Sequence, residues 1–213
     1  MDELEILKRD WKKKEHSFNQ VSENEIYSML HKTSSSIVKW ILIISILEII
    51  LWSGITFFTA DDEYLKTLEM YHLNTIMPII TCINYVIILV FIYLFYKNYK
   101  AINTTESVKT LMQNILKTRK TVKQYVGYNI GMAVFGFVLV IIFQFLYDPN
   151  IRTMTDKVSE SMNSNVFIAL IVIIYAVIFA FFVGFIWLFY KLLYGILMRK
   201  LQKNYNELSK IDF

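Results

Sequence analysis

Four long runs nearly free of charge decide what this chain can fold into. Trp40 to Ala60 contains one charged residue, Glu48, while Met70 to Tyr96, Gln124 to Tyr147 and Ser161 to Tyr190 contain no Asp, Glu, Lys or Arg. Each run meets the roughly 20 residues that a helix needs to cross about 30 Å of hydrocarbon at about 1.5 Å per residue. A soluble protein of buried helices would need a charged face on each helix, and these runs carry none. Four such runs in 213 residues leave little for a globular domain. The predicted fold class is therefore all-α: a four-helix transmembrane bundle with helical extensions at one end.

The basic residues give the orientation. Nineteen of the 22 Lys and Arg fall before the first run, between the second and third, or at the end of the last. Only Lys66, Arg152 and Lys157 fall in the other two connections. Lys and Arg near span ends stay cytoplasmic, so both termini are expected inside. Aromatic anchors agree: Trp40, Tyr93, Tyr96, Tyr125, Tyr128, Trp187 and Tyr190 cluster at the inner boundary, and Tyr71 and Tyr147 at the outer. The net charge of +4 thus reports topology, not nucleic-acid binding. The charged first 36 residues do not look like a cleaved signal, so the first span is expected to act as an uncleaved anchor in the inner (plasma) membrane.

The expected organisation is a cytoplasmic segment 1–36, a first span 37–58, an outer loop 59–75, a second span 76–97, a cytoplasmic helical hairpin 98–124, a third span 125–147, an outer loop 148–164, a fourth span 165–193 and a cytoplasmic C-terminal helix 194–213. Ser22 and Glu25 fit a capping box, each side chain satisfying the other residue's free backbone N–H. Leu4, Leu7, Trp11 and Phe18 suggest a short amphipathic helix before it. Asn103 with Glu106 resembles another cap, which predicts a third helix of roughly 40 residues starting near Thr104. The fourth span is expected to continue without a break through Leu197, Leu201, Tyr205 and Leu208. Two arrangements suit these amphipathic extensions: a stalk prolonging the bundle, or helices lying flat on anionic lipid.

Glu48 requires a physical account. Counted along its own run it falls near the bilayer midplane, where a charge costs at least about 2.5–3.5 kcal/mol. No Lys, Arg or His lies deep within the other spans to meet it, so the neutral acid is expected there unless a cation arrives. Depth matching at about 1.5 Å per residue nominates Asn84, Tyr85 and Tyr175 as hydrogen-bonding partners in an intramembrane polar cluster. Such a cluster is either interhelical glue or a proton or cation site.

Gly127 and Gly131 form a GxxxG that would let helices approach closely, within the chain or between copies in a homo-oligomer. No catalytic, cofactor or metal site is expected. The three histidines are scattered, the single Cys82 precludes a CxxC motif, and no GxxxxGK[ST] or GxGxxG occurs.

The opening MDELEILKRDWKKKE (Met1–Glu15) and SSSIVKW (Ser34–Trp40) resemble an uncharacterised flavobacterial (Bacteroidota) family of small four-helix membrane proteins. Some members carry a carotene-oxygenase label, which would demand a histidine cluster that this sequence lacks. Genes of the family tend to sit beside those for extracytoplasmic-type sigma factors, so the resemblance implies an anti-sigma-like role with a sigma factor as partner. About 36 residues precede the membrane here, whereas typical anti-sigma domains place some 70 or more there. A binding surface would therefore have to combine the N-terminal helix with the stalk. The functional expectation is a non-catalytic, partner-binding or regulatory protein, with Trp11 and Phe18 as apolar anchors. The alternative is a small transporter or channel centred on Glu48.

Overall fold

The computed structural model describes residues 22–105, 107–150, 153 and 164–210. Among these the structure is helical, without strands. α1 spans Glu23–Thr59, α2 Asp62–Met70, α3 Ile76–Asn103, α4 Val108–Tyr147, α5 Ser164–Leu193 and α6 Gly195–Leu208. Four helices are long and apolar enough to cross a membrane: α1, α3, α4 and, from Ala169, α5.

Helix starts follow local chemistry. Ser22 Oγ accepts from the Glu25 amide at 3.3 Å while the Ser22 amide donates to Glu25 Oε2 at 3.0 Å, completing the expected capping box. Asp61 caps α2 by accepting from the Tyr64 amide at 2.8 Å. Pro78 sits in the first turn of α3, where no intrahelical donor is lost.

Two expectations are corrected. α4 is capped by Ser107, whose Oγ accepts from the Thr110 amide, and not by Asn103, which ends α3. The fourth span does not run unbroken into the C-terminal helix: Tyr194 interrupts it ahead of Gly195. The break is local, since the amides of Tyr194 and Met198 still donate four residues back, at 3.0 and 2.9 Å. Trp11 and Phe18 lie outside the described residues.

α1 and α4, at 37 and 40 residues, are longer than a membrane requires, and their surplus lies at the lysine-rich end of the bundle. There the extensions pack on one another. Val38, Ile102, Leu111, Ile115, Leu201 and Leu208 are all fully buried in one cluster with Leu30 and Ile37. Burying one such side chain is worth about 1.5–3 kcal/mol in water, so the extensions form a stalk rather than separate helices spread on a surface. α6 packs against α1 and α4.

The stalk also satisfies the carbonyls that a helix end leaves unpaired. His31 Nε2 meets the Ile102 carbonyl at 2.8 Å, Asn114 Nδ2 donates to Ala101 at 3.3 Å, and Tyr27 Oη donates to Thr105 at 3.1 Å. These three side chains lock the turn between α3 and α4.

Toward the opposite end the packing changes. Past Glu48 α1 buries no further residue, and α3 and α4 bury none between Ile76 and Ile87 or beyond Tyr125. Phe57, Phe58 and Phe181 are about four-fifths exposed, as side chains solvated by lipid tails should be. A second small core (Leu68, Tyr71 and Leu73 against Met77, Leu139, Val140 and Phe143) docks α2 and the following turn onto α3 and α4.

Candidate binding site at a buried carboxyl

The site begins with the register between α1 and α3. Ser35 donates to Asn103 at 3.2 Å and Ser53 to Tyr85 at 3.0 Å, so the two helices run antiparallel with paired numbers summing to a constant. That register sets Glu48 level with Val90. On α1, Ser34, Val38, Ile41, Ser45 and Glu48 recur every three or four residues and are all buried, so the carboxyl points into the bundle.

Three phenols meet it. Tyr125 Oη of α4 donates to Glu48 Oε2 at 2.9 Å, Tyr194 Oη to the same oxygen at 3.0 Å, and Tyr190 Oη of α5 to Oε1. Glu48 is only 4% exposed, and all three tyrosines are buried to a similar degree or more deeply. Their rings pack together: Tyr125 makes edge contacts with Phe91 and Phe95 at 5.4 Å and with Tyr194 at 5.8 Å, and Tyr190 stacks on Tyr194 at 6.1 Å.

The nominated partners are different residues. Asn84 accepts from Tyr128 Oη at 3.0 Å, Tyr85 from Ser53, and Tyr175 packs on Phe145. None bonds to Glu48, although Asn84 and Tyr85 line the same cavity. The error was one of depth. Counting from the ends of each apolar run assumes that the four runs lie flush, yet those of α4 and α5 end level with Glu48, short of the lysine-rich end that the runs of α1 and α3 approach. Tyr175 lies fifteen residues from Tyr190, or about 22 Å along α5. Tyr125 and Tyr190, assigned by sequence to an interfacial belt, are level with Glu48. The missed signal was the Tyr190–Tyr194 pair, one helical turn apart on a single face.

Gly127 and Gly131 do not bring helices together within the chain: a Cβ added at either would meet nothing within 4 Å. The packing expected of the GxxxG is absent because that face of α4 points away from the neighbouring helices.

Beyond the carboxyl, α1, α3, α4 and α5 line a partly open cavity of about 540 Å³. Glu48, Tyr125 and Tyr190 form its floor, and Trp52, Ile55, Met77, Phe182 and Phe185 contribute to its walls. On the other side of Glu48, Val38, Ile41, Phe95 and Val122 are no more than 1% exposed and seal the floor from the stalk. Polar pairs continue through the stalk interior, with Asn98 donating to Thr121 at 3.1 Å and Asn204 to Ser34 at 3.0 Å. The apolar seal separates these pairs from the cavity. Among the described residues, no group of three His, Cys, Asp or Glu could hold a metal ion.

At the far end Tyr71 Oη donates to Asp148 Oδ2 at 3.0 Å, and the Asn150 amide donates to Oδ1 at 2.8 Å. Burial pushes the Asp148 carboxyl up, but the Asn150 amide, the Tyr71 phenol and Gln144 outweigh it and hold it below its ordinary value. Burial and the adjacent carboxylate push the Tyr71 phenol up. The pair is a charge-assisted latch closing the α2 segment onto the end of α4.

Long apolar helices, a lysine-rich packed stalk and a buried acid among tyrosines define the class: a four-helix membrane protein with a polar centre at the base of an intramembrane cavity. A model described as "Domain of unknown function (DUF8845)" matches residues 24–213, and the chain belongs to that family. Trp11 and Phe18 precede the matched region. Neither the curated proteins nor the solved structures gave a match.

Proposed function

We propose that this protein is a non-catalytic membrane regulator, in which occupancy of the cavity at Glu48 is communicated to a cytoplasmic partner through the stalk. The observation that carries the reading is the bond from Tyr194 to Glu48. Tyr194 is the residue immediately before α6, and α6 is held on α1 by the Asn204–Ser34 pair. A change at the carboxyl therefore acts directly on the seating of a stalk helix. The 19-to-3 distribution of basic residues supports a cytoplasmic stalk in a plasma membrane, both termini inside. A sigma factor is the partner that the flavobacterial resemblance implies.

The stalk exposes Met29, Leu116 and Ile196, each more than two-fifths accessible, as apolar contact points for such a partner. Photo-crosslinkers at Met29 and Leu116 in intact cells test the reading. One cytoplasmic protein should be captured, and its yield should change with Glu48→Gln. Capture of lipid alone would overturn it.

A second reading, a small transporter, is favoured by one observation: the acid forms the floor of a cavity instead of being closed in on all sides. Under that reading Glu48→Gln abolishes a transported flux and leaves crosslinking unchanged.

A further inference from the structure

We propose that the cavity binds one lipophilic organic cation in exchange for the proton of Glu48. This deepens the input side of the regulator reading and rests on the cavity alone, not on the identity of any partner.

The volume of about 540 Å³ lies within the roughly 300–1,000 Å³ of small-molecule sites. Most of the wall is apolar, so the body of the ligand must be apolar as well. The charge requirement is equally one-sided. Glu48 is the one residue among those lining the cavity that can carry full charge near neutral pH, and no Lys, Arg or His lines it. Lys191, adjacent to Tyr190 in sequence, lies over the Trp187 ring at 4.3 Å, on the exposed side of the helix with Leu188 and Leu192. An anionic ligand would meet a carboxyl with no compensating cation. A cationic one meets a carboxyl in a cavity that the aromatic rings of Trp52 and Phe189 also line, 6.4 Å apart in an edge arrangement. Aromatic faces beside a carboxylate are the chemistry that recognises quaternary and other diffuse cations.

The hydrogen bonds define the exchange. The groups facing Glu48 are the neutral Trp52 of its own helix, Tyr125 of α4, Tyr190 of α5 and Tyr194 at the start of α6, while α3 adds the neutral Asn84 and Tyr85 to the cavity. A carboxylate can accept from all three phenols at once. A neutral acid carries one proton that must itself be donated. Oε2 already accepts twice, so the proton belongs to the Oε1–Tyr190 bond, where one of the two oxygens donates to the other. When a cation enters, that proton leaves to water through the cavity, because Val38, Ile41, Phe95 and Val122 close the other side. The site then holds a carboxylate and a cation where it held a neutral acid. Its net charge does not change, and that is what makes occupancy tolerable inside a membrane.

Calorimetric titration of the full chain in zwitterionic nanodiscs tests this, with tetraphenylphosphonium as the cation and triphenylphosphine oxide as a neutral comparator. The expected result is saturable binding of tetraphenylphosphonium, one per chain. Affinity should rise by about tenfold per pH unit while the carboxyl titrates, and about one proton should be released when buffers of different ionisation heat are compared. Glu48→Gln should weaken binding by at least about tenfold and remove the pH dependence. The wild-type proton count requires no variant, so it stands even if Glu48→Gln folds poorly. Non-saturable uptake, pH-independent binding without proton release, or equal affinity for triphenylphosphine oxide would each overturn the exchange. Crosslinking of a stalk partner could still succeed in that case, which separates this failure from failure of the regulator reading.

Discussion

Replacing Glu48 by leucine removes the acceptor that three buried phenols share, and the consequence can be worked from the geometry. A buried hydroxyl left without a partner costs about 1–3 kcal/mol. Tyr190 and Tyr194 are stacked at 6.1 Å and Tyr125 lies 5.8 Å from Tyr194, so some re-pairing among the phenols is open to them. One or two hydroxyls then remain orphaned, for an expected net loss of about 2–4 kcal/mol. Removing both sides of the interaction should be far milder. With Tyr125, Tyr190 and Tyr194 all changed to Phe, the Glu48→Leu substitution should cost less than about 1 kcal/mol, because no polar atom is left unsatisfied. The assay is reversible unfolding of the micelle-solubilised chain by sodium dodecyl sulfate, followed by far-ultraviolet circular dichroism. A Glu48→Leu protein as stable as the wild type would mean that the three phenols do not depend on the carboxyl. So would a quadruple variant as weak as the sum of its parts, since the coupling between acid and phenols is the whole of the claim.

Other perturbations probe the remaining features. Tyr71→Phe should weaken the Tyr71–Asp148 latch by about 1–2 kcal/mol, seen as faster protease cleavage near Lys66. Because the folded Asp148 pKa is depressed, the latch contributes fully above about pH 4 and is lost as pH falls through the lower folded value, so protection at Lys66 should collapse on acidification. Ile115→Ala, at a fully buried stalk position, should cost about 2–4 kcal/mol in the same detergent unfolding; a cost below about 1 would mean that the stalk core is not formed. Gly131→Ala meets open space and should be neutral or stabilising by up to about 1 kcal/mol, whereas a tight helix contact there would make it destabilising.

Much of the architecture could be read from sequence because its cause is local. Whether a segment of 20 or more residues can lie in lipid depends only on its own side chains, so the four apolar helices follow from composition along the chain. The Ser22–Glu25 cap depends on residues three apart and was legible for the same reason. Asn103 and Glu106 show the same spacing, but the turn geometry selected Ser107 as the cap, and spacing alone does not distinguish the two.

Glu48 too stood out in the sequence, because a carboxyl inside an apolar run is costly wherever it points. Its partners did not, because they depend on how far one helix slides along another. An offset of a few residues between spans moves neighbours by several ångströms while leaving every hydropathy profile unchanged. Tertiary packing chose Tyr125, Tyr190 and Tyr194 over Asn84, Tyr85 and Tyr175, and turned Gly127 and Gly131 outward. It also drew the extensions into a stalk, where their apolar stripes suited a lipid surface equally well. Solvation of single segments is written residue by residue; the register, tilt and facing of those segments come only from the contacts they make with one another.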